Sequence, residues 1–209
     1  MKAVLAFGDS NTWGLIPGSA SKERYPWGIR WTSLLQERCP KIRVIEEGLC
    51  GRTTVFEDEL RPGRRGITAL PLILETHYPL DAAVVMLGTN DCKPVYGASA
   101  YTIGKGLEAC LEEMEHYISP TKILVISPIM LGENVWQPDK DPEFSAESVE
   151  VCRQLKDVYY TITCQRETGF LAASDYVQAN EADCEHMDED GHRIIASVIY
   201  EKLVEMGVI

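Results

Sequence analysis

The sequence predicts a doubly wound α/β domain with three layers, α/β/α, in which helices cover both faces of a parallel sheet. Short apolar runs alternate with longer amphipathic stretches along the whole chain of 209 residues, as repeated strand–crossover–strand units require. The apolar runs are continuous rather than alternating, which is typical of parallel strands buried on both faces. The chain shows no internal repeat and no linker long enough to divide it, so we expect residues 1–209 to form a single domain.

Five apolar runs predict the strands, and the fifth of them is the weakest: 2–7, 42–46, 82–87, 123–127 and 170–173. Amphipathic stretches predict the helices, at 29–38, 67–77, 100–117, 145–168 and 190–206. Asp188, Glu189 and Asp190 stand at the start of the last helix, where acids favour the positive end of the helix dipole. Two loops, 52–66 and 128–144, are long for one domain, and such loops are usually functional or oligomeric.

Composition and charge narrow the class of protein. The 32 acidic and 20 basic residues give a formal charge of −12, which argues against nucleic acid or an anionic membrane as the main partner, because phosphate binding needs clustered lysine and arginine. No apolar run approaches the ~20 residues of a membrane span. The chain enters a strand without a signal peptide, and its seven cysteines then indicate reduced thiols. We therefore expect a cytoplasmic protein that binds neither nucleic acid nor membrane.

Polar residues follow the predicted strands at the points where a ligand would bind. Ser10 comes after the first strand, Gly51 after the second and Asn90 after the third. Asp183 and His186 lie in the loop before the last helix. In an open parallel sheet, ligands bind beyond the carboxyl ends of the strands, near the reversal of strand order. A strand order of 2-1-3-4-5 would make the first three of these ends neighbours.

These residue types supply what acyl transfer from an ester needs. A neutral serine hydroxyl is a weak nucleophile, so a base must take the proton of Ser10 as it attacks. His186 suits that role with an unperturbed pKa of ~6.5, and Asp183 can accept from its other ring nitrogen. The N–H groups of Ser10 and Gly51 and the side-chain amide of Asn90 would form the oxyanion hole, in which the loss of one donor typically costs ~10²–10³ in rate.

Four blocks of the sequence resemble, in order, those of the SGNH (GDSL-type) hydrolases: Gly8-Asp9-Ser10, Gly51, Gly88-Thr89-Asn90-Asp91 and Asp183-Cys184-Glu185-His186. Further stretches are similar to the arylesterase/acyltransferase (perhydrolase) branch: Gly8-Asp9-Ser10-Asn11-Thr12-Trp13-Gly14, Arg30-Trp31-Thr32, Val44-Ile45-Glu46-Glu47-Gly48-Leu49, Arg52-Thr53-Thr54 and Met86-Leu87-Gly88-Thr89-Asn90-Asp91. The resemblance implies a flavodoxin-like five-stranded parallel sheet of order 2-1-3-4-5, a Ser-His-Asp triad, no metal or organic cofactor, and hydrolysis of small esters. It also implies acyl transfer to alcohols or peroxide in some members and homo-oligomers in many.

One departure from the family pattern concerns the oxyanion hole. Glu46 stands where the second block usually has asparagine, which leaves both Gly48 and Gly51 open as the donor. We favour Gly51 because it lies further beyond the strand.

Three residues are expected to shape the substrate pocket. Asn11 stands where many members of the family have leucine, and this bears on the shape of the pocket. Trp13 lies three residues past the candidate nucleophile, where a bulky indole would favour small acyl groups. Trp136 lies within the long loop 128–144 and is expected to line the same pocket.

The remaining histidines are expected to be structural. His77 ends a predicted helix and His116 lies within another. His192 also has an acid three residues before it, but it follows Gly191 in the first turn of the last helix, where packed histidines are usually structural. His186 instead lies in a turn-rich loop, the kind of segment that often carries catalytic side chains.

Several other residues adjoin the motifs. Asp9 and Asp91 are interpreted as acceptors of backbone N–H groups that fix the loops. Three arginines are expected in a solvated loop or an oligomer contact rather than in a substrate site: Arg61, Arg64 and Arg65. Three cysteines stand beside candidate site residues: Cys50, Cys92 and Cys184. Chance explains the positions of these cysteines. Two more specific alternatives are that thiol reagents affect the activity and that the cysteines bind a soft metal with His186.

The leading interpretation is a serine esterase that hydrolyses short-chain, acetyl-type esters of aryl, alkyl or sugar alcohols, with possible acyl transfer. The partner is then a small-molecule ester, and we expect a homo-oligomer. Alternatives within the same class are a carbohydrate acetyl esterase and a thioesterase or lysophospholipase. A phosphate-binding flavodoxin-like protein is a second class, which the lack of lysine or arginine beside Ser10 disfavours. A non-catalytic binding module is a third.

Overall fold

A parallel sheet of five strands forms the centre of the computed structural model, which describes residues 1–209. The strands are β1 (Lys2–Gly8), β2 (Ile42–Gly48), β3 (Ala82–Met86), β4 (Ile123–Ser127) and β5 (Gly169–Ala172). Their order across the sheet is β2-β1-β3-β4-β5, and every neighbouring pair is parallel. This arrangement confirms both the predicted fold class and the strand order of 2-1-3-4-5.

Helices lie on both faces of the sheet: α1 (Ser10–Trp13), α2 (Trp31–Arg38), α3 (Gly66–His77), α4 (Ala100–Glu115), α5 (Ala146–Arg166) and α6 (Glu189–Glu205). One layer is formed by α2 and α6, and the other by α3, α4 and α5. Successive side chains of β1 alternate between the two cores: Leu5 and Phe7 belong to the core under α3–α5, and Val4 and Ala6 to the core under α2 and α6. Because both of their faces are buried, the central strands β1, β3 and β4 are nearly continuous apolar runs. The edge strand β2 is only partly buried and carries Arg43, Glu46 and Glu47. No helix has the length and apolar character that a membrane crossing needs.

Polar caps determine where three of the long helices begin. The side chains of Ser99, Ser145 and Asp188 accept hydrogen bonds from N–H groups in the first turns of α4, α5 and α6. These N–H groups have no partner within their own helix, so a capping side chain stabilises the start. The ends of the helices and strands differ from the predicted ranges by at most two residues, because capping and strand pairing decide them rather than apolar periodicity.

The one-turn helix α1 was not expected from the sequence, and it decides where Ser10 lies. Asp9 caps it by accepting from the N–H of Asn11 at 2.9 Å. The turn crosses the end of β2 so closely that a Cβ at Gly48 would lie 2.2 Å from the backbone nitrogen of Trp13. Gly48 therefore allows α1 to pack on the sheet, which presents Ser10 at the carboxyl end of β1.

We expect Gly48→Ala to lower the free energy of unfolding by ~1–3 kcal/mol, because the added methyl group meets backbone atoms that cannot rotate away. Urea denaturation measures this change. Gly63→Ala is the control, since a Cβ there meets nothing within 4 Å and only its φ of +90° disfavours the substitution. A loss at Gly48 no larger than the loss at Gly63 would contradict the close-approach explanation.

Candidate active site

Three segments of the chain meet at the carboxyl edge of the sheet. Ser10 begins α1 directly after β1, and Asn90 begins a short 3₁₀ turn after β3. Asp183 and His186 come from the loop between β5 and α6. The Oγ of Ser10 lies 2.8 Å from Nε2 of His186, and Nδ1 of His186 lies 2.8 Å from Oδ2 of Asp183. The structure thus brings these three side chains into one continuous hydrogen-bonded path.

Asp183 is held by several donors besides His186. Its Oδ1 accepts from the backbone N–H groups of Glu185 and His186 at 3.0 Å each, and its Oδ2 accepts from the N–H of Gly18 at 2.9 Å. Burial would raise the pKa of Asp183, but the hydrogen bond and charge of His186 and the N–H groups of His186 and Glu185 lower it to about 2. The carboxylate is therefore ionised and fixed, as an acceptor that orients an imidazole must be.

His186 lies among acids, and this changes its titration. Burial would lower the pKa of His186, but the negative charges of Glu185 and Asp183 raise it to about 9. Oε1 of Glu185 lies 3.7 Å from Nε2 of His186, the same nitrogen that contacts Oγ of Ser10. Sequence reasoning missed Glu185, because an acid in a polar loop usually faces solvent, whereas this one is only 4% exposed.

The side chain of Asn11, which was expected to shape the pocket, contacts the loop that carries His186. Its side chain does not line the cavity beside His186. Its Oδ1 accepts from the N–H of Met187 at 2.9 Å, and its Nδ2 donates to the carbonyl of Glu185 at 3.3 Å. Asn11 therefore clamps the loop that carries His186 onto the segment that carries Ser10.

The three predicted oxyanion donors have N–H groups that protein acceptors leave wholly or partly unengaged. Ser10 is the first residue of α1, and the N–H of such a residue has no partner within its helix. Gly51 has a φ of +81° and its N–H donates to no protein acceptor. Asn90 uses one hydrogen of its amide on the carbonyl of Arg52, at 3.2 Å, and retains the other. Gly48, the other candidate donor, lies inside the ladder of β2 beneath α1.

Two buried charged residues hold these donors in place. Nη1 of Arg52 donates to the carbonyl of Gly8 at 2.9 Å, and its guanidinium lies 4.3 Å from the ring centroid of Phe7. The carboxylate of Asp91 accepts from the N–H of Thr54 at 2.9 Å, and burial raises its pKa to about 6. This confirms that Asp91, like Asp9 at the start of α1, accepts from the backbone and fixes a loop.

A cavity of about 400 Å³ opens beside His186. Its walls are formed by residues 15–22 and by both long loops. Residues 15–22 were not predicted to take part, although Pro17 and Gly18 indicate a turn there. More than half of its lining residues are charged, and six of them come from these segments: Lys22, Arg61, Asp139, Lys140, Asp141 and Glu143. Arg61 donates to Glu143 at 3.0 Å and so joins the two loops.

The two tryptophans expected in the pocket do not line this cavity. Trp13 is half-buried, and the guanidinium of Arg24 lies 5.2 Å from its ring centroid. Trp136 is 43% exposed and donates from Nε1 to the carbonyl of Glu133 at 3.1 Å. The expectation that they shape the substrate pocket therefore stays a prediction.

The other histidines have structural partners or lie at the surface. His192 is buried, and its Nδ1 accepts from the N–H of Trp31 at 3.3 Å. Burial lowers the pKa of His192 to about 4, so its ring is neutral. His77 lies 3.0 Å from a carboxylate oxygen of Glu47, and His116 is exposed at the end of α4.

All seven cysteines are free thiols. Cys50 is half-buried, and burial raises its pKa to about 11. Cys92 is buried and donates to the carbonyl of Gly88 at 3.3 Å. Cys184 takes a φ of +61° in the loop before His186. The chain contains no group of three or more His, Cys, Asp or Glu side chains arranged to hold a metal ion.

Comparison with known proteins places the chain in one family. The model of the GDSL-like lipase/acylhydrolase family matches residues 6–194. Two solved structures are similar over 99% of this chain and 100% of theirs: Est24, a carbohydrate acetylesterase from Sinorhizobium meliloti (31% identity, TM-score 0.89), and the native M. smegmatis aryl esterase (28% identity, TM-score 0.88). A lipase/acylhydrolase from Enterococcus faecalis, at 18% identity over 99% of this chain and 96% of that chain with a TM-score of 0.69, shares the fold. A comparison with curated proteins finds no match. The chain belongs to the GDSL-like lipase/acylhydrolase family.

Proposed function

We propose that the protein is a serine esterase that hydrolyses short-chain, acetyl-type carboxylic esters through an acyl-enzyme on Ser10. The observation that carries this proposal is the path from Ser10 Oγ through His186 to Asp183, in which both contacts are 2.8 Å. The relatives add support, because one is an aryl esterase and another a carbohydrate acetylesterase.

The first half-reaction transfers the acyl group to Ser10. Nε2 of His186 takes the hydroxyl proton as Oγ attacks the acyl carbon, and Asp183 stabilises the imidazolium that forms. The negative charge on the carbonyl oxygen is received by the N–H groups of Ser10 and Gly51 and by the free hydrogen of the Asn90 amide. His186 then gives the proton to the departing alcohol, and the C–O bond to that alcohol breaks.

The second half-reaction releases the acyl group. Water attacks the acyl carbon while Nε2 of His186 takes its proton, and the bond between the acyl carbon and Ser10 Oγ breaks as that proton passes to Oγ. An alcohol or a peroxide in the place of water would give acyl transfer instead of hydrolysis. Both routes use the same base and the same oxyanion donors.

We expect the alcohol part of the ester to carry hydroxyl groups or an aromatic ring. The cavity beside His186 has mostly charged lining residues, which can exchange hydrogen bonds with sugar hydroxyls. A long acyl chain would need an apolar wall, so these charges disfavour a lysophospholipid or other long-chain ester. We favour an acetylated sugar among the alternatives for this reason.

The proposal also covers the oligomeric state, the cellular compartment and the domain organisation of the enzyme. We infer a homo-oligomer from exposed apolar side chains near the cavity loops, since Leu60 is 90% and Val95 79% exposed, and such side chains often mark contacts between subunits. We infer a cytoplasmic place from the seven free thiols, which a reducing compartment preserves. We further propose that residues 1–209 act as a single domain.

Ser10→Ala should reduce turnover of p-nitrophenyl acetate by at least ~10³-fold, because the nucleophile is lost. A serine-directed phosphonate should label the wild type at Ser10 alone, as mass spectrometry of the digested protein would report. Ser127→Ala is the matched control: Ser127 is a buried serine at the end of β4 whose Oγ has no partner, and its loss should leave turnover near that of the wild type. Label on a cysteine, or full activity in Ser10→Ala, would refute the proposed nucleophile.

The rate should rise with pH, and this rise should extend to a pH that is unusually high for a histidine base. His186 acts as a base only when neutral, and its pKa is about 9 because Glu185, Asp183 and Asp9 face it. A plot of kcat/KM for phenyl acetate between about pH 5 and 10 reports such a pKa in the free enzyme. We expect the rising limb to have its midpoint near 9, and His77→Gln, which removes a histidine outside the site, to leave the profile unchanged. A midpoint at or below the ordinary value of ~6.5 would contradict this expectation.

A further inference from the structure

Glu185 is a buried carboxylate that the mechanism above does not use. It is 4% exposed, and its Oε1 lies 3.7 Å from Nε2 of His186. No donor of the protein forms a hydrogen bond with this carboxylate, and the side chain lines the cavity together with His186. Because the carboxylate borders the cavity and no protein donor occupies it, a donor group of a ligand in the cavity can form a hydrogen bond with it.

The backbone of Glu185 is fixed on both sides. Its N–H donates to Oδ1 of Asp183 at 3.0 Å, and its carbonyl accepts from Nδ2 of Asn11 at 3.3 Å. The buried Lys93 forms an ion pair with Glu143 and lies 4.0 Å from Asp141, so other acids engage its ammonium group. Glu185 therefore stays beside the nitrogen that carries the reacting proton, at the place where an acyl acceptor must arrive.

We propose that Glu185 selects the acyl acceptor, by accepting a hydrogen bond from a second O–H group while His186 takes the proton of the first. This inference rests on the proposed acyl-enzyme on Ser10. One oxygen can lie at hydrogen-bond distance, about 2.8 Å, from both Oε1 and Nε2, because these atoms are only 3.7 Å apart. Water, with two O–H bonds, satisfies both groups at once.

The same geometry ranks the alcohols. In a vicinal diol, the reacting hydroxyl gives its proton to His186 and the neighbouring hydroxyl donates to Glu185. An alcohol with one hydroxyl leaves the Glu185 carboxylate buried without a donor. The enzyme should therefore transfer acyl groups to water, diols and sugars in preference to simple alcohols.

The transfer step is balanced without any further reactant. The oxygen of the diol forms a bond with the acyl carbon, the bond from that carbon to Ser10 Oγ breaks, and the proton of the reacting hydroxyl passes through Nε2 of His186 to Oγ. Glu185 gives and takes no proton, and the second hydroxyl leaves unchanged as part of the new ester.

The test compares two acceptors that differ by one methyl group on the second oxygen, ethylene glycol and 2-methoxyethanol. Acetyl transfer from phenyl acetate to each is measured by gas chromatography and expressed per free hydroxyl. We expect the wild type to prefer ethylene glycol about tenfold, the factor that one hydrogen bond to a buried charged group supplies. Glu185→Leu should remove the preference, and Glu185→Gln, whose amide oxygen still accepts, should retain part of it.

Asp157→Asn is the control, because it removes an exposed acid of α5 that lies outside the cavity and should keep the ratio of the wild type. An equal rate with both acceptors in the wild type would overturn the inference even if Glu185→Leu failed to fold. A preference that survives in Glu185→Leu would overturn it as well. If the wild type did not release phenol from phenyl acetate, the serine esterase itself would be refuted, which is a different result from turnover without preference.

Discussion

The site depends on one constraint, which is that the loop before α6 must be held against the turn after β1, 176 residues away in the chain. Asp183 and Asn11 impose it. Asp183 accepts from its own loop and from Gly18, and Asn11 bonds to the backbone on both sides of His186. The contact between Ser10 and His186 is therefore not left to two side chains alone. It follows from hydrogen bonds between the side chains of Asp183 and Asn11 and the backbone, which form without any substrate. Such preorganisation is what acyl transfer needs.

Burial of acids around one imidazole is the electrostatic counterpart of that constraint. Burial raises the pKa of Asp9 to about 7 and that of Asp91 to about 6, because their backbone donors do not offset the loss of water. Asp183 differs, since the charge and hydrogen bond of His186 overcome burial and lower its pKa to about 2. The acids nearest His186 thus favour its protonated form. In the proposed reaction they stabilise the imidazolium, and a higher pH is needed before His186 is neutral and can act as the base.

The proposed catalytic groups and the cavity come from different parts of the fold. The strands and their first turns place Ser10, Gly51 and Asn90, and these places follow from strand order. The cavity is instead built by residues 15–22 and by the loops 52–66 and 128–144, which the ion pair of Arg61 and Glu143 connects. Loops with many charged side chains can vary without disturbing the sheet.

The sequence by itself determined the class of fold, the strand order through its family resemblance, and the candidate residues at the strand ends, because continuous apolar runs and turn residues are local signals. It did not determine the directions of side chains in the loops. Trp13, Trp136 and Asn11 were expected to shape the pocket, yet none of them lines the cavity beside His186. Asn11 instead bonds to the backbone of the loop before α6, 176 residues away. The same holds for Gly48, whose missing side chain matters only because α1 crosses it, and for Glu185, whose burial beside His186 is created by contacts between segments far apart in the chain. Local patterns specify elements, whereas long-range packing decides what each side chain faces.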